Sequence, residues 1–400
     1  MDCLDFGHGF LPRVELGNYR ALERALGPQS LFDPEPVSVP WVILDGSWVT
    51  TNRDILPMRR SAGTRYLIDT SAWRFQSDSA FDVARLANLP HAPRSTWGAL
   101  SIDDFRRFVA DDLRFQASLG AAAYLVPGLI PADRSADLSS YDRATSSVVE
   151  QVCFEQPLPV IATVGFHTRG LEVVQHRLES LSSIYSAVYL QPTPIDPYRD
   201  SPDKLGNVVM LLQQIQRQGR DAIAGRMGSL TVLLRALGIA AADAGMAAGE
   251  AFALNAKLRP QTPSDGSESS TPRASNASRR YLPAIKRSVS PIVVERVEST
   301  PAADALLRCT TCCRLLAPND QIRRGREHSL FARVTEAQQV SSLPGSMRPD
   351  HAEREWQAAR RTATSVNTAL CEAGFAELPT EHLDNQLAVL RQRASRGEAA

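Results

Sequence analysis

Short, mostly apolar runs alternate with longer stretches of helical periodicity through most of this chain. The runs are Val37–Leu44, Tyr66–Ile68, Ala121–Val126, Val160–Val164, Ala187–Leu190, Ala222–Ala224 and Ile239–Ala242. Apolar character without alternation predicts strands buried on both faces, as in a parallel sheet. Between the runs, Ser101–Ser118, Tyr141–Glu155, Leu171–Leu181, Asp203–Gln218 and Leu230–Leu237 place apolar residues three and four apart. That spacing predicts amphipathic helices. An eighth strand is expected at Tyr281-Leu282, continuing from Ile285. Seven or eight such pairs over about 250 residues predict a (β/α)8 TIM-type barrel across residues 37–291. A doubly wound open sheet is the competitor, but no G-x-G-x-x-G follows the first run.

The flanks read differently. Residues 1–36 look like a lead-in, with a helix at Tyr19–Leu26 and prolines at 28, 34 and 36. Residues 259–280 are Ser/Thr/Pro/Asn-rich and almost free of apolar side chains, the composition of a flexible loop. Residues 292–340 gather cysteines and arginines, and 341–400 predict a helical tail with helices near 350–376 and 380–395.

Composition narrows the classes. With 43% hydrophobic and 22% charged residues the chain can bury a sizeable core. Basic and acidic residues balance at 44 each, so any nucleic-acid contact must come from a local patch. The stripe Arg279, Arg280, Lys286, Arg287, Arg314, Arg323, Arg324, Arg326 is the candidate, with a solvated charged face as the bland alternative. No run is long enough for a membrane span, and the N-terminus lacks a signal-peptide core. A cytoplasmic protein is expected, and the tail is expected either to pack on the barrel or to mediate pairing of copies.

Two acids stand out. Asp69 and Asp243 each end an apolar run, which puts both at the C-terminal rim of a barrel, where chemistry is done. A carboxylate pair across a rim serves glycosidic chemistry: one attacks the anomeric carbon, the other moves protons. Either acid can instead simply cap the next helix. Gln191, Arg226, His167 and Asp45 also follow strand ends; Gln191 suits a base edge, and Arg226 a base carbonyl or a phosphate. Cys309, Cys312 and Cys313 with His328 supply four soft or borderline ligands, the number a closed structural zinc site needs. A metal-free cluster is the alternative, because adjacent cysteines seldom share one ion.

The stretch from Asp221 to Glu250 resembles the tRNA-guanine transglycosylases. Their strand, Gly-x-Gly turn, helix and Gly-hydrophobic-x-x-x-Asp are matched by Ala222–Ala224, the Gly225-to-Ser229 turn, Leu230–Leu237 and Gly238–Asp243. Their Asp-Ser-Gly-Gly-Phe-Gln is echoed by Asp69-Thr70-Ser71 and Phe75-Gln76, without the double glycine. Their zinc motif is echoed in placement by the cysteine cluster, with altered spacing. The resemblance implies Asp243 as nucleophile, Asp69 as general acid/base, substrate contacts from Gln191, Arg226, Gly228 and Ser229, and structural zinc. It also implies 7-deazaguanine (queuine-type) exchange on a nucleic acid, tRNA or DNA, through a covalent aspartyl intermediate. The rival expectation is a catalytically retired barrel that binds nucleic acid or protein.

Overall fold

The computed structural model describes residues 4–14, 19–26, 38–52, 63–76, 89–93, 101–131, 138–245, 252, 279–309 and 325–394. Eight parallel strands form one sheet: β1 (Phe10–Val14), β2 (Trp41–Asp45), β3 (Arg65–Asp69), β4 (Tyr124–Leu125), β5 (Val160–His167), β6 (Ala187–Thr193), β7 (Asp221–Ala224) and β8 (Ala241–Gly245). Their order is β3-β2-β1-β8-β7-β6-β5-β4. The two end strands are joined where Ala122 N–H donates to the Tyr66 carbonyl at 3.0 Å. The result is a nearly closed (β/α)8 barrel.

Helices alternate with the strands: α1 (Tyr19–Leu26), α2 (Gly46–Thr51), α3 (Ile102–Ser118), α4 (Ser139–Glu155), α5 (Leu171–Glu179), α6 (Pro202–Arg217) and α7 (Thr231–Ala236). Local sequence explains their starts. Ser101 caps α3 in a reciprocal capping box with Asp104. Ser201 caps α6, with Pro202 in the first turn.

Two expectations need correction. The first strand is Phe10–Val14, inside the supposed lead-in, paired with both β2 and β8. Its sequence, FLPRV, carries a proline and an arginine, which argue against a central strand. The supposed eighth strand belongs instead to an antiparallel hairpin outside the barrel, β9 (Arg280–Leu282) with β10 (Arg287–Val289).

After the hairpin come α8 (Pro291–Glu298), α9 (Pro301–Leu307), α10 (Gly325–Ser341), α11 (Arg348–Glu372) and α12 (Glu381–Ala394). Helix α10 packs on α1, α7 and β1, the seat that the eighth barrel helix takes. Helix α11 lies on α7, and α12 on α6.

The barrel interior is apolar below and polar above. Leu11, Ile43, Leu67 and Ala241 belong to its inner cluster, closed at the floor by Leu4 and Phe6. Two residues further along the same strands, on the same face, stand Arg13, Asp45, Asp69 and Asp243.

Candidate active site

Strand alternation delivers the charged layer to the C-terminal mouth, and Arg13 organises it. Its guanidinium is 2% exposed. Nε donates to Asp243 Oδ2 at 2.7 Å, Nη1 donates to Asp69 Oδ2, and Nη2 donates to the Tyr189 hydroxyl at 2.9 Å. Tyr189 in turn donates to Asp243 Oδ1 at 2.8 Å. One side chain from β1 thus ties together β3, β6 and β8.

Asp69 and Asp243 therefore converge on Arg13. Their Oδ2 atoms are separated by two hydrogen bonds and the width of a guanidinium, no more than about 8 Å. The space between them holds Arg13, however, so a sugar carbon has no seat there.

The two acids differ in access. Asp243 has no exposed side-chain surface and accepts three hydrogen bonds, the third from Arg226 N–H at 2.7 Å. Asp69 keeps 17% of its side chain exposed and accepts from Ser71 N–H at 2.7 Å. Burial pushes the Asp69 carboxyl up, but Arg13, the Ser71 N–H and the Arg226 charge together hold it below the usual carboxylate range. Burial also pulls Arg13 down, yet its three partners hold it well above the usual arginine value. Burial raises the Tyr189 phenol well above its ordinary value, so it stays a donor to Asp243.

Both backbone donors sit in the left-handed region without being glycine: Ser71 at φ 54° and Arg226 at φ 62°. Such residues cost about 1–3 kcal/mol and persist where surrounding contacts fix them. Here each fixes one of the two acids.

The other rim residues divide. Gln191 is buried on the inner face of β6, opposite Gly165, two residues beyond Tyr189. Arg226 lies over the Phe252 ring at 5.8 Å, and Phe252 meets Trp73 edge-on at 5.3 Å. Ser229 is buried, with no hydrogen bond to its hydroxyl among the described residues. Gly228 has a packing reason: a Cβ there would come within 2.3 Å of the Ala244 Cβ. Asp45 is the N-cap of α2, accepting from Trp48 N–H at 3.1 Å and from the Ser47 hydroxyl. His167 Nδ1 accepts from Arg169 N–H at 3.2 Å within its own turn.

Of the expected zinc ligands, Cys312 and Cys313 lie outside the described residues. Cys309 is half-buried against the core, and His328 Nε2 hydrogen-bonds the Tyr281 carbonyl at 2.7 Å. Among the described residues no group of three or more His, Cys, Asp or Glu could hold a metal ion.

Much of the described basic stripe is spent internally. Lys286 pairs with Glu336 at 2.7 Å and Glu355 at 3.1 Å, Arg280 pairs with Glu298, and Arg287 stacks on Tyr198. No described helix is long and apolar enough to cross a membrane.

Sequence reading missed Arg13 and Tyr189. Tyr189 was visible as an inward residue two positions before Gln191; Arg13 was hidden with its strand.

No protein-family model matches the chain, and no curated protein matches it. Among solved structures it is similar to the glycoside hydrolase domain of PelA from Pseudomonas aeruginosa. That match has 16% identity and a TM-score of 0.35, over 59% of this chain and 93% of that one. A variant of the same domain matches at 17% identity and TM-score 0.37, with the same coverage. Nitroalkane oxidase from Streptomyces ansochromogenes matches at 13% identity and TM-score 0.24, over 89% of each chain. Likeness this loose says nothing about the chemistry of this barrel.

Proposed function

We propose that the barrel mouth acts on a glycosidic bond, with Asp69 as the carboxylate that meets the substrate. The observation that carries this reading is the convergence of Asp69 and Asp243 on one buried guanidinium at the C-terminal rim. A fixed, ionised and partly exposed carboxylate suits attack on, or stabilisation of, an oxocarbenium-like carbon. Asp69 is the acid with that access. Asp243, sealed and saturated with donors, orients Arg13 and Tyr189. This reverses the roles that the transglycosylase resemblance implies. An ionised Asp69 also serves as nucleophile or base rather than as proton donor. The finer reading, exchange or cleavage of an N-glycosidic bond in a nucleic acid or nucleotide, rests on that resemblance.

One observation favours a second reading. Arg13 pairs with both acids and fills the gap between them, as a structural ion-pair network does. The barrel would then be a binding or assembly module for nucleic acid or protein.

Intact-mass analysis after incubation with 2-fluoro nucleosides and activated 2-fluoro aryl glycosides separates the readings. The first predicts an adduct on Asp69 that is absent from Asp69→Asn. It also predicts that turnover of the reacting glycoside falls by at least about a thousandfold in that variant. An adduct on Asp243 would restore the roles implied by the resemblance. No adduct and no turnover with either class favours the binding module.

A further inference from the structure

We propose that Tyr189 is a positioning residue which, through Arg13, sets the state of an acid it does not itself touch, Asp69. The inference rests on the reading that Asp69 is the working carboxylate.

The geometry is a closed ring. Tyr189 accepts from Arg13 Nη2 at 2.9 Å and donates to Asp243 Oδ1 at 2.8 Å, while Arg13 Nε returns to Asp243 Oδ2 at 2.7 Å. A planar guanidinium held at two nitrogens by two such partners cannot rotate. Its third nitrogen, Nη1, is thereby aimed at Asp69. With the hydroxyl removed, Nη2 loses its acceptor and Asp243 loses a donor. The plane then keeps only its two carboxylate anchors and shifts toward Asp243, whose Oδ1 has lost its phenol donor, so the Nη1 bond to Asp69 weakens.

A second observation points the same way. Gly225 is not in the left-handed region, so its backbone does not demand glycine. A Cβ there would come within 2.8 Å of both Tyr189 Cζ and the hydroxyl oxygen, and within 3.0 Å of the Leu190 carbonyl. The missing side chain at 225 is what leaves room for the phenol to reach Asp243.

The charged and titratable groups around Asp69 are Arg13 from β1, Asp45 in register with it on β2, Arg226 from the turn after β7, Tyr189 from β6 and Asp243 from β8. Neither the Tyr189 nor the Gly225 substitution removes a charge from this set. For Tyr189→Phe, which leaves the turn carrying Arg226 untouched, a change at Asp69 therefore travels through the orientation of Arg13.

The test is a 13C-carboxyl NMR titration of aspartate-labelled protein, with Asp69 assigned from Asp69→Asn. Tyr189→Phe should move the Asp69 midpoint upward by about one pH unit, toward the ordinary carboxylate value. Gly225→Ala, which displaces the phenol instead of trimming it, should move it the same way. Folding of each variant is followed by thermal melting. A folded Tyr189→Phe whose Asp69 midpoint stays within about 0.2 unit of wild type overturns the proposal. The titration needs no substrate. Absence of turnover would therefore strike the glycosidic reading and leave this inference standing, while an unmoved midpoint would do the reverse.

Discussion

Asp243 illustrates how burial turns a plausible nucleophile into a support. It has three donors, no exposed surface and a buried cation 2.7 Å away. Asp243→Asn keeps the shape and removes the charge, leaving Arg13 with one anion in place of two. Breaking one side of a buried pair costs up to about 3–5 kcal/mol when the partner is left with no counter-charge, and the remaining Asp69 pair keeps the loss below that ceiling. A urea-denaturation midpoint should register a loss toward that order for Asp243→Asn, and a smaller one for the partly exposed Asp69→Asn. Two buried histidines act at the same scale but on pH. His8 bonds the Ser38 carbonyl through Nε2 and accepts from Phe10 N–H at Nδ1. Burial pushes it from 6.5 down to about 4, and burial with the Arg287 charge does the same to His382. Between those values the unfolded chain binds protons that the folded protein refuses. Stability is therefore whole above about 6.5 and falls as pH drops toward 4, by about 3 kcal/mol per ring at roughly 1.4 kcal/mol per unit. Unfolding midpoints measured at pH 7, 6 and 5 should fall steadily, and His382→Gln should show about half the slope.

Among the elements, those with unambiguous periods were legible and the exceptions have physical causes. Helix α1 lies where the pattern put it, and α3 starts at the Ser101 cap. Strands β5, β6 and β7 match their apolar runs because helices cover one face and the packed interior the other. Strand β1 was illegible because its central position needs only Phe10, Leu11 and Val14 to be apolar, leaving room for Pro12 and Arg13. The candidate site was half legible for the same reason. Asp69 and Asp243 end runs and announce themselves, whereas the cation between them sits in the one strand that did not look like one. The turn after β7 carries a further test. Gly228 packs against β8 so closely that Gly228→Ala must push the turn away from Ala244. Overpacking of this kind costs about 1–3 kcal/mol, so the melting temperature should drop accordingly. Because the turn also carries the Arg226 N–H that holds Asp243, the drop should be accompanied by a perturbed Asp243 carboxyl signal.

For the whole molecule, the C-terminal third completes the barrel and is not an appendage to it. Helix α10 covers β1 against α1 and α7, with fully buried Glu327 paired to Arg24 of α1 and Arg333 over the Phe10 ring at 6.0 Å. Helix α12 reaches the rim loop after β6: Gln386 donates to the Pro197 carbonyl at 2.8 Å, and Trp356 of α11 donates to Gln386 at 2.9 Å. A chain ending at Arg308 would strip α10 from β1 and uncover Phe10 and Val14 beside Ala242 and Ala244 of β8. Burial of apolar area at roughly 25 cal/mol per Å² is the main force holding that seam, so its loss should abolish cooperative unfolding. Ending the chain at Glu372 removes α12 alone. That protein should still melt in one transition, at a lower temperature, because the seam beside β1 stays closed. Differential scanning calorimetry of the two truncations distinguishes the cases. A sharp transition in the shorter one would mean that β1, and with it Arg13, is held by the sheet alone.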